Sequence, residues 1–224
     1  KKIFKIFNHI KSKPIMCGIA GVLIFNDEDV NENYLRKFTF SLKHRGPDSK
    51  NFYIDNDKKL GLGHTRASVF DLSDGGNQPM SYHGKRYWIT FNGIIYNFIE
   101  IKNELKSLGY KFKSNTDTEV ILASYLEWGD ECQFKLNGDW AFAIWDSLKK
   151  NLFLSVDRFG SKPLYYINHK NYFIFASELK AFMRLPKRKI PNFDYGHFLW
   201  LDKNDGCINT FLKNVFILSG GNQI

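Results

Sequence analysis

Met16-Cys17-Gly18-Ile19-Ala20-Gly21-Val22-Leu23-Ile24-Phe25 is the stretch on which the fold turns. From Cys17 to Phe25 it is a mostly apolar run rich in Ile and Val, the pattern of a buried strand. A cysteine opens it, directly after a methionine and directly before a glycine. The plain reading of that cysteine is a small core residue. The chemical reading supposes translation from Met16 and removal of that Met, which makes Cys17 residue one. Thiol and α-amino group then share one residue, and a free α-amine, with a pKa near ~8, is poised to take the thiol proton. Nucleophile and base would be the same residue.

Outward from this strand, the pattern is that of a mixed chain. Tyr34–Lys43 is helix-like and stops at the turn His44-Arg45-Gly46-Pro47-Asp48. Strands are expected at Phe52–Ile54, Leu60–Thr65 and Arg86–Phe91. One helix puts Phe98, Ile101, Leu105 and Leu108 on a single face and ends at Gly109. A second opens on the capping box Thr116-Asp117-Thr118-Glu119 and buries Val120, Ile121, Tyr125 and Trp128. Four strand-like runs follow at Trp140–Trp145, Leu152–Val156, Leu164–Ile167 and Tyr172–Ala176. Runs of strands separated from runs of helices predict an α+β fold with antiparallel sheets.

The 224 residues, 43% hydrophobic and 17% aromatic, suffice for one substantial core. A net charge of +9 raises the question of nucleic acid, but the excess is lysine scattered along the chain. With no zinc spacing, RNP-like strand or recognition helix, a solvated basic surface is the expectation. No apolar run is long enough to span a bilayer. Three distant cysteines, Cys17, Cys132 and Cys207, fit a reducing cytoplasm better than a disulfide framework. Residues 1–16 read as a propeptide, an upstream leftover or a disordered extension; a short basic helix on a membrane is the other reading. Its attachment would acylate the Cys17 nitrogen.

Five ordered stretches carry a resemblance. Met16-Cys17-Gly18-Ile19-Ala20-Gly21, His44-Arg45-Gly46-Pro47-Asp48 and Asn92-Gly93-Ile94-Ile95-Tyr96-Asn97 occur in the order found in class II glutamine amidotransferases, which are N-terminal-nucleophile hydrolases. Asp157-Arg158-Phe159-Gly160-Ser161-Lys162-Pro163-Leu164-Tyr165-Tyr166 and Ala176-Ser177-Glu178-Leu179-Lys180-Ala181 resemble the glutaminase domain of asparagine synthetases. The resemblance implies a four-layer αββα sandwich, with the nucleophile at the end of a central strand, over residues 17–190. Residues 191–224 would be a linker or the start of a synthetase domain. Ser219-Gly220-Gly221 is similar to that domain's pyrophosphate loop, but Gln223 and Ile224 stand where its Asp and Ser belong, so the reading is a linker in a fragment or an orphaned first half.

The resemblance also implies roles. Cys17 would attack the side-chain amide of L-glutamine and pass through a thioester. Asn92 (side-chain amide) and Gly93 (backbone N–H) would form the oxyanion hole. Arg66 would grip the α-carboxylate two-pronged, Asp117 would pair with the α-ammonium, and Phe70 and Ile94 would line the glutamine pocket. The plain readings beside these are a turn for Asn92-Gly93, a surface arginine for Arg66 and a favourable first-turn charge for Asp117. Synthetases usually have Glu where Ile94 stands, which leaves more weight on Asp117. His44, Arg45 and Asp48 are read as a structural turn, and His64, Cys132 and Cys207 as core or surface residues.

What the resemblance implies in sum is glutamine hydrolysis supplying ammonia for ATP-dependent asparagine synthesis from aspartate. No metal or organic cofactor is expected here; ATP and Mg belong to a synthetase domain or separate subunit, the expected partner. No nucleic acid or membrane is expected, and a homodimer is compatible. Two other readings stand beside it: an amidotransferase for another acceptor, in a surface-sugar or natural-product pathway, and a catalytically inactive interaction module. A papain-like hydrolase would need His44 or His64 as its base.

Overall fold

A computed structural model describes residues 16–68, 74–185, 210 and 212–224. The expected extension up to residue 15, Phe70 and Cys207 lie outside the described residues. The strands are β1 (Gly18–Ile24), β2 (Ser49–Ile54), β3 (Leu60–Arg66), β4 (Met80–Tyr82), β5 (Tyr87–Ile95), β6 (Gly138–Asp146), β7 (Asn151–Val156), β8 (Tyr165–His169), β9 (Tyr172–Ala176) and β10 (Phe216–Ile217). The helices are α1 (Glu32–Phe40), α2 (Phe98–Ser107), α3 (Asp117–Trp128) and the short α4 (Cys132–Lys135) and α5 (Leu179–Phe182). A six-stranded sheet has the order β10-β8-β9-β1-β3-β2, and a four-stranded sheet the order β4-β5-β6-β7. Strand neighbours pair antiparallel throughout.

Three apolar layers separate four structural ones, as a stack of two sheets with helices outside requires. Between the sheets lie Ile19, Leu62, Ala143, Trp145, Leu154 and Phe175, drawn from both. Beyond the four-stranded sheet, Phe91, Phe142 and Ile144 meet Leu105, Val120 and Ile121 of α2 and α3. Beyond the six-stranded sheet, Ala20 and Ile174 meet Phe38 of α1 and Phe182 of α5. The expected α+β sandwich is the fold observed, and β1 lies inside its sheet between β9 and β3.

Local chemistry explains the helix limits. The Asn31 side chain caps α1 by accepting from Tyr34 N at 3.1 Å. The helix stops at Phe40 rather than Lys43, because bonds from Leu42, Lys43 and Arg45 N–H to the carbonyls three residues back tighten the chain into turns. Thr116 caps α3 as its box predicts, accepting from Glu119 N. Glu119 does not return the box's bond to Thr116 N–H, which goes to Ser114 Oγ; its carboxylate accepts from Lys113 and Ser114 N–H, pinning the turn that delivers the helix. Leu108 was expected on the buried face of α2 but is 53% exposed, since it is already the C-cap and the chain turns away there.

β5 is longer than its apolar run suggested. It continues through Asn92 and Gly93, paired with Ala141 and Trp140 of β6. Gly93 serves close strand approach rather than a turn: a Cβ there would lie 2.1 Å from the Asp139 carbonyl oxygen. At the other end of the described chain, β10 covers the edge strand β8, and Ile224 exchanges both backbone hydrogen bonds with Leu154 of β7. One short segment thereby closes an edge of each sheet.

Candidate active site

The two-residue alternation of strands assembles the site. On β1, Ile19 faces the layer between the sheets, and Cys17 continues that row one step before the strand begins. On β3, Leu60 and Leu62 face the same layer, followed by His64 and Arg66. On β5, Trp88 and Thr90 face across to the other sheet, followed by Asn92. Thr90 Oγ1 donates to Gly63 O at 3.1 Å, and buried His64 lies with Nε2 3.2 Å from Phe91 O, so β3 and β5 are tied across the gap beside the site. The three inward rows end together. Cys17, Arg66, Asn92, Gly93, Ile94 and Asp117 line one cavity of about 110 Å³ that opens to solvent.

Cys17 and the first residues of β1 are held from three sides. Its Sγ accepts from Ala67 N at 3.5 Å, and Arg45 Nε donates to its carbonyl at 2.9 Å. Ser177 completes the cradle, its hydroxyl accepting from Ile19 N at 3.0 Å. Arg45 is in turn held by Glu178 Oε1 at 3.0 Å, so the late Ser177-Glu178 stretch is what steadies the start of β1. Gly46 lets the Arg45 turn lie flat on β3, since a Cβ would sit 2.2 Å from Thr65 O. Asp48 Oδ2 accepts from Ser68 N at 2.7 Å. Arg45 and Asp48 therefore act structurally, as their turn suggested, and His44 stands at the surface against Glu178 and Lys180.

Electrostatics sort the candidates. Burial pushes the Cys17 thiol up; the hydrogen bond from Ala67 and the charges of Arg66 and Arg45 offset this only in part, and Asp117 adds to it. The cavity by itself does not hold a thiolate at neutral pH, so attack needs a base. His64 is a poor one: burial takes it down to about 3, leaving a neutral ring whose Nε2–H is engaged by Phe91 O. Burial also raises the Asp117 carboxyl, against hydrogen bonds from Ile95, its own and Thr118 N–H and the Thr118 hydroxyl. Arg66 Nη1 donates to Asn77 Oδ1 at 3.0 Å, which aims the guanidinium along the cavity wall. Asn92 is 1% exposed and its Nδ2 has no hydrogen-bond partner among the described residues. A buried amide donor without an acceptor costs roughly 1–3 kcal/mol, which suggests it is kept for a ligand.

Sequence reading passed over Gln78. It is 5% exposed, lines the cavity, accepts from Phe91 N at 2.6 Å and donates to Thr118 Oγ1 at 3.3 Å. Its only local signal is a polar residue before Pro79 ahead of a strand, which ordinarily marks a loop. Phe70, expected in the pocket, lies outside the described residues. Among the described residues, no group of three or more His, Cys, Asp or Glu could hold a metal ion, and no helix is long and apolar enough to cross a membrane.

Comparison with known proteins follows the same lines. Residues 16–224 match the family described as a glutamine amidotransferase domain. The chain is 42% identical over 173 residues to asparagine synthetase [glutamine-hydrolyzing] 1 of Bacillus subtilis, covering 75% of this chain and 27% of that protein. It is 40% identical over 177 residues to asparagine synthetase [glutamine-hydrolyzing] 3 of the same organism, covering 78% and 28%. The chain thus spans little more than a quarter of the length of these curated relatives. Among solved structures, the glutamine phosphoribosylpyrophosphate amidotransferase of B. subtilis superposes with a TM-score of 0.63 at 20% identity, over 74% of this chain and 43% of that one, a likeness of fold.

Proposed function

The chain belongs to the glutamine amidotransferase domain family, and from that premise we propose that it hydrolyses L-glutamine to glutamate and ammonia on the Cys17 thiol. The substrate's α-carboxylate pairs with Arg66 and its α-ammonium with Asp117, which sets the side-chain amide beside Sγ. The α-amine of Cys17, once freed of Met16, takes the thiol proton. Sulfur then bonds to the amide carbon, and the oxyanion is received by Asn92 Nδ2–H and the Gly93 N–H. The proton passes to the departing nitrogen, the C–N bond breaks and ammonia leaves. Water, deprotonated by the same amine, cleaves the thioester and restores the thiol. The observation that carries this reading is the buried Asn92 donor, without a partner among the described residues, in the wall of the cavity that also holds Cys17.

The length of the relatives supports a larger setting. Ammonia passes to a synthetase part, as a further domain or a separate subunit, where ATP and Mg²⁺ activate aspartate for asparagine synthesis; the glutaminase domain needs neither. The free thiols Cys17 and Cys132 accord with a reducing cytoplasm.

The test is ammonia release from glutamine by protein beginning at Cys17, beside the same protein with Met16 retained and with Cys17→Ala. Release is expected only from the first. Its rate should rise as pH passes the α-amine pKa near about 8, and hydroxylamine should trap the γ-glutamyl group. A free-amine protein that binds glutamine yet releases no ammonia overturns the mechanism.

A further inference from the structure

We propose that Gln78 is a positioning residue which, through Thr118, locks the strand carrying the oxyanion donors to the carboxylate that receives the substrate ammonium; this rests on the glutaminase reading above. The direction of each hydrogen bond is forced. Phe91 N–H can only donate, so the carboxamide atom 2.6 Å from it must be Oε1. Nε2 is then left facing Thr118 Oγ1 at 3.3 Å and donates to it. Thr118 follows Asp117 directly in the first turn of α3, so this bond ties β5 to the turn that carries the carboxylate. Asp117 Oδ2 accepts from Ile95 N at 3.0 Å, which returns the circuit to β5.

The circuit therefore leaves β5 at Phe91 and rejoins it at Ile95. Between those two anchors lie Asn92, Gly93 and Ile94, which line the cavity. Closing a ring around three residues fixes the donors relative to the carboxylate, so both ends of one substrate are measured from one frame. Gln78 touches neither reacting atom in this scheme. Its partners lie 13 and 40 residues away, so the ring exists only in the folded chain.

Three variants separate the links. Gln78→Glu still accepts from Phe91 N–H but presents an acceptor to Thr118 in place of the Nε2 donor and adds charge, which loosens the first turn of α3 and with it the bond from Ile95 N to Asp117. Thr118→Val cuts the same link with no charge change, and Thr118→Ser keeps it. The charged and titratable groups around Asp117, namely the Cys17 thiol, the Arg66 and Lys162 cations of the same cavity and Glu119 on its own helix, are untouched in all three.

Two measurements read the outcome: the titration midpoint of the Asp117 carboxyl by ¹³C NMR in the intact chain, and the pH profile and KM for glutamine of protein beginning at Cys17. Gln78→Glu and Thr118→Val should both raise the midpoint and move the acid limb of kcat/KM to higher pH. KM should rise about tenfold, the scale of one lost hydrogen bond to a charged group, with kcat held within about threefold. Thr118→Ser should match the parent. An unmoved Asp117 midpoint in folded Thr118→Val, or a fall in kcat at unchanged KM, overturns the proposal. Should the parent release no ammonia, the glutaminase reading fails by itself, while the carboxyl titration still decides the ring.

Discussion

Replacing Asn92 by alanine should cost activity without costing stability, and the structure says why the two separate. Most buried polar side chains hold the fold through their hydrogen bonds, so truncation lowers both. Asn92 is 1% exposed, yet its Nδ2 bonds to none of the described residues. That orphan donor carries a desolvation penalty of roughly 1–3 kcal/mol, relieved when alanine removes it. Against this stands a small cavity at about 24 cal/mol per Å³, reduced because the site opens to solvent. The net change in folding stability should lie within about 1 kcal/mol of zero, a shift in Tm of a few degrees at most. Catalysis should respond very differently. Losing one oxyanion donor is expected to lower kcat by about 10²–10³, or ~2.7–4 kcal/mol, with KM for glutamine nearly unchanged, because the interaction forms only as the oxyanion does. Steady-state ammonia release and thermal unfolding, measured on the same preparation of protein beginning at Cys17, decide it. Retention of kcat within about threefold, or a loss that tracks a Tm fall of ten degrees or more, refutes the argument.

Two further outcomes follow from other contacts. Gly93→Ala should destabilise by at least about 2 kcal/mol in urea unfolding, because its Cβ would meet the Asp139 carbonyl oxygen at 2.1 Å and force β5 from β6; an unchanged midpoint would mean that the strands part freely there. Burial pushes the Glu178 carboxyl up, but hydrogen bonds from Arg45, His44 and Lys180 outweigh it and hold it below the usual range. A carboxyl depressed in the folded state contributes stability above its unfolded pKa of about 4.3, and that contribution is lost as pH falls through the folded value. The stability gap between wild type and Glu178→Gln should therefore be widest near neutrality and close in acid; a gap that does not change with pH refutes the pairing.

The regular elements were legible because their signals are local. Strand runs such as Trp140–Trp145, the capping Thr116 and the turn around Gly46 each depend on neighbours a few residues away, and each was found in place. Errors fell where a local signal ends ambiguously. The strand expected over Arg86–Phe91 runs on to Ile95, because Asn92 and Gly93 pair with Ala141 and Trp140 of β6. Leu108 has the right spacing for the buried face of α2 but sits one residue beyond its last turn.

By itself, the chain's order of residues determined an α+β fold with antiparallel sheets, since strand period and helix caps are written within short windows; the sandwich and the choice of Cys17, Arg66, Asn92, Gly93, Ile94 and Asp117 as the residues to watch came from the ordered motifs that resemble a known family. Only the tertiary structure could set Cys17, Arg66 and Asn92 at the ends of inward rows on three strands, bring Asp117 of α3 to the same cavity, leave Asn92 Nδ2 without a partner among the described residues, and recruit Gln78, Arg45, Thr118 and Glu178 behind them. The physical reason is register. Which polar atoms meet across 28, 40 or 133 residues is decided by how two sheets slide and stack against one another, and no short window of sequence carries that information.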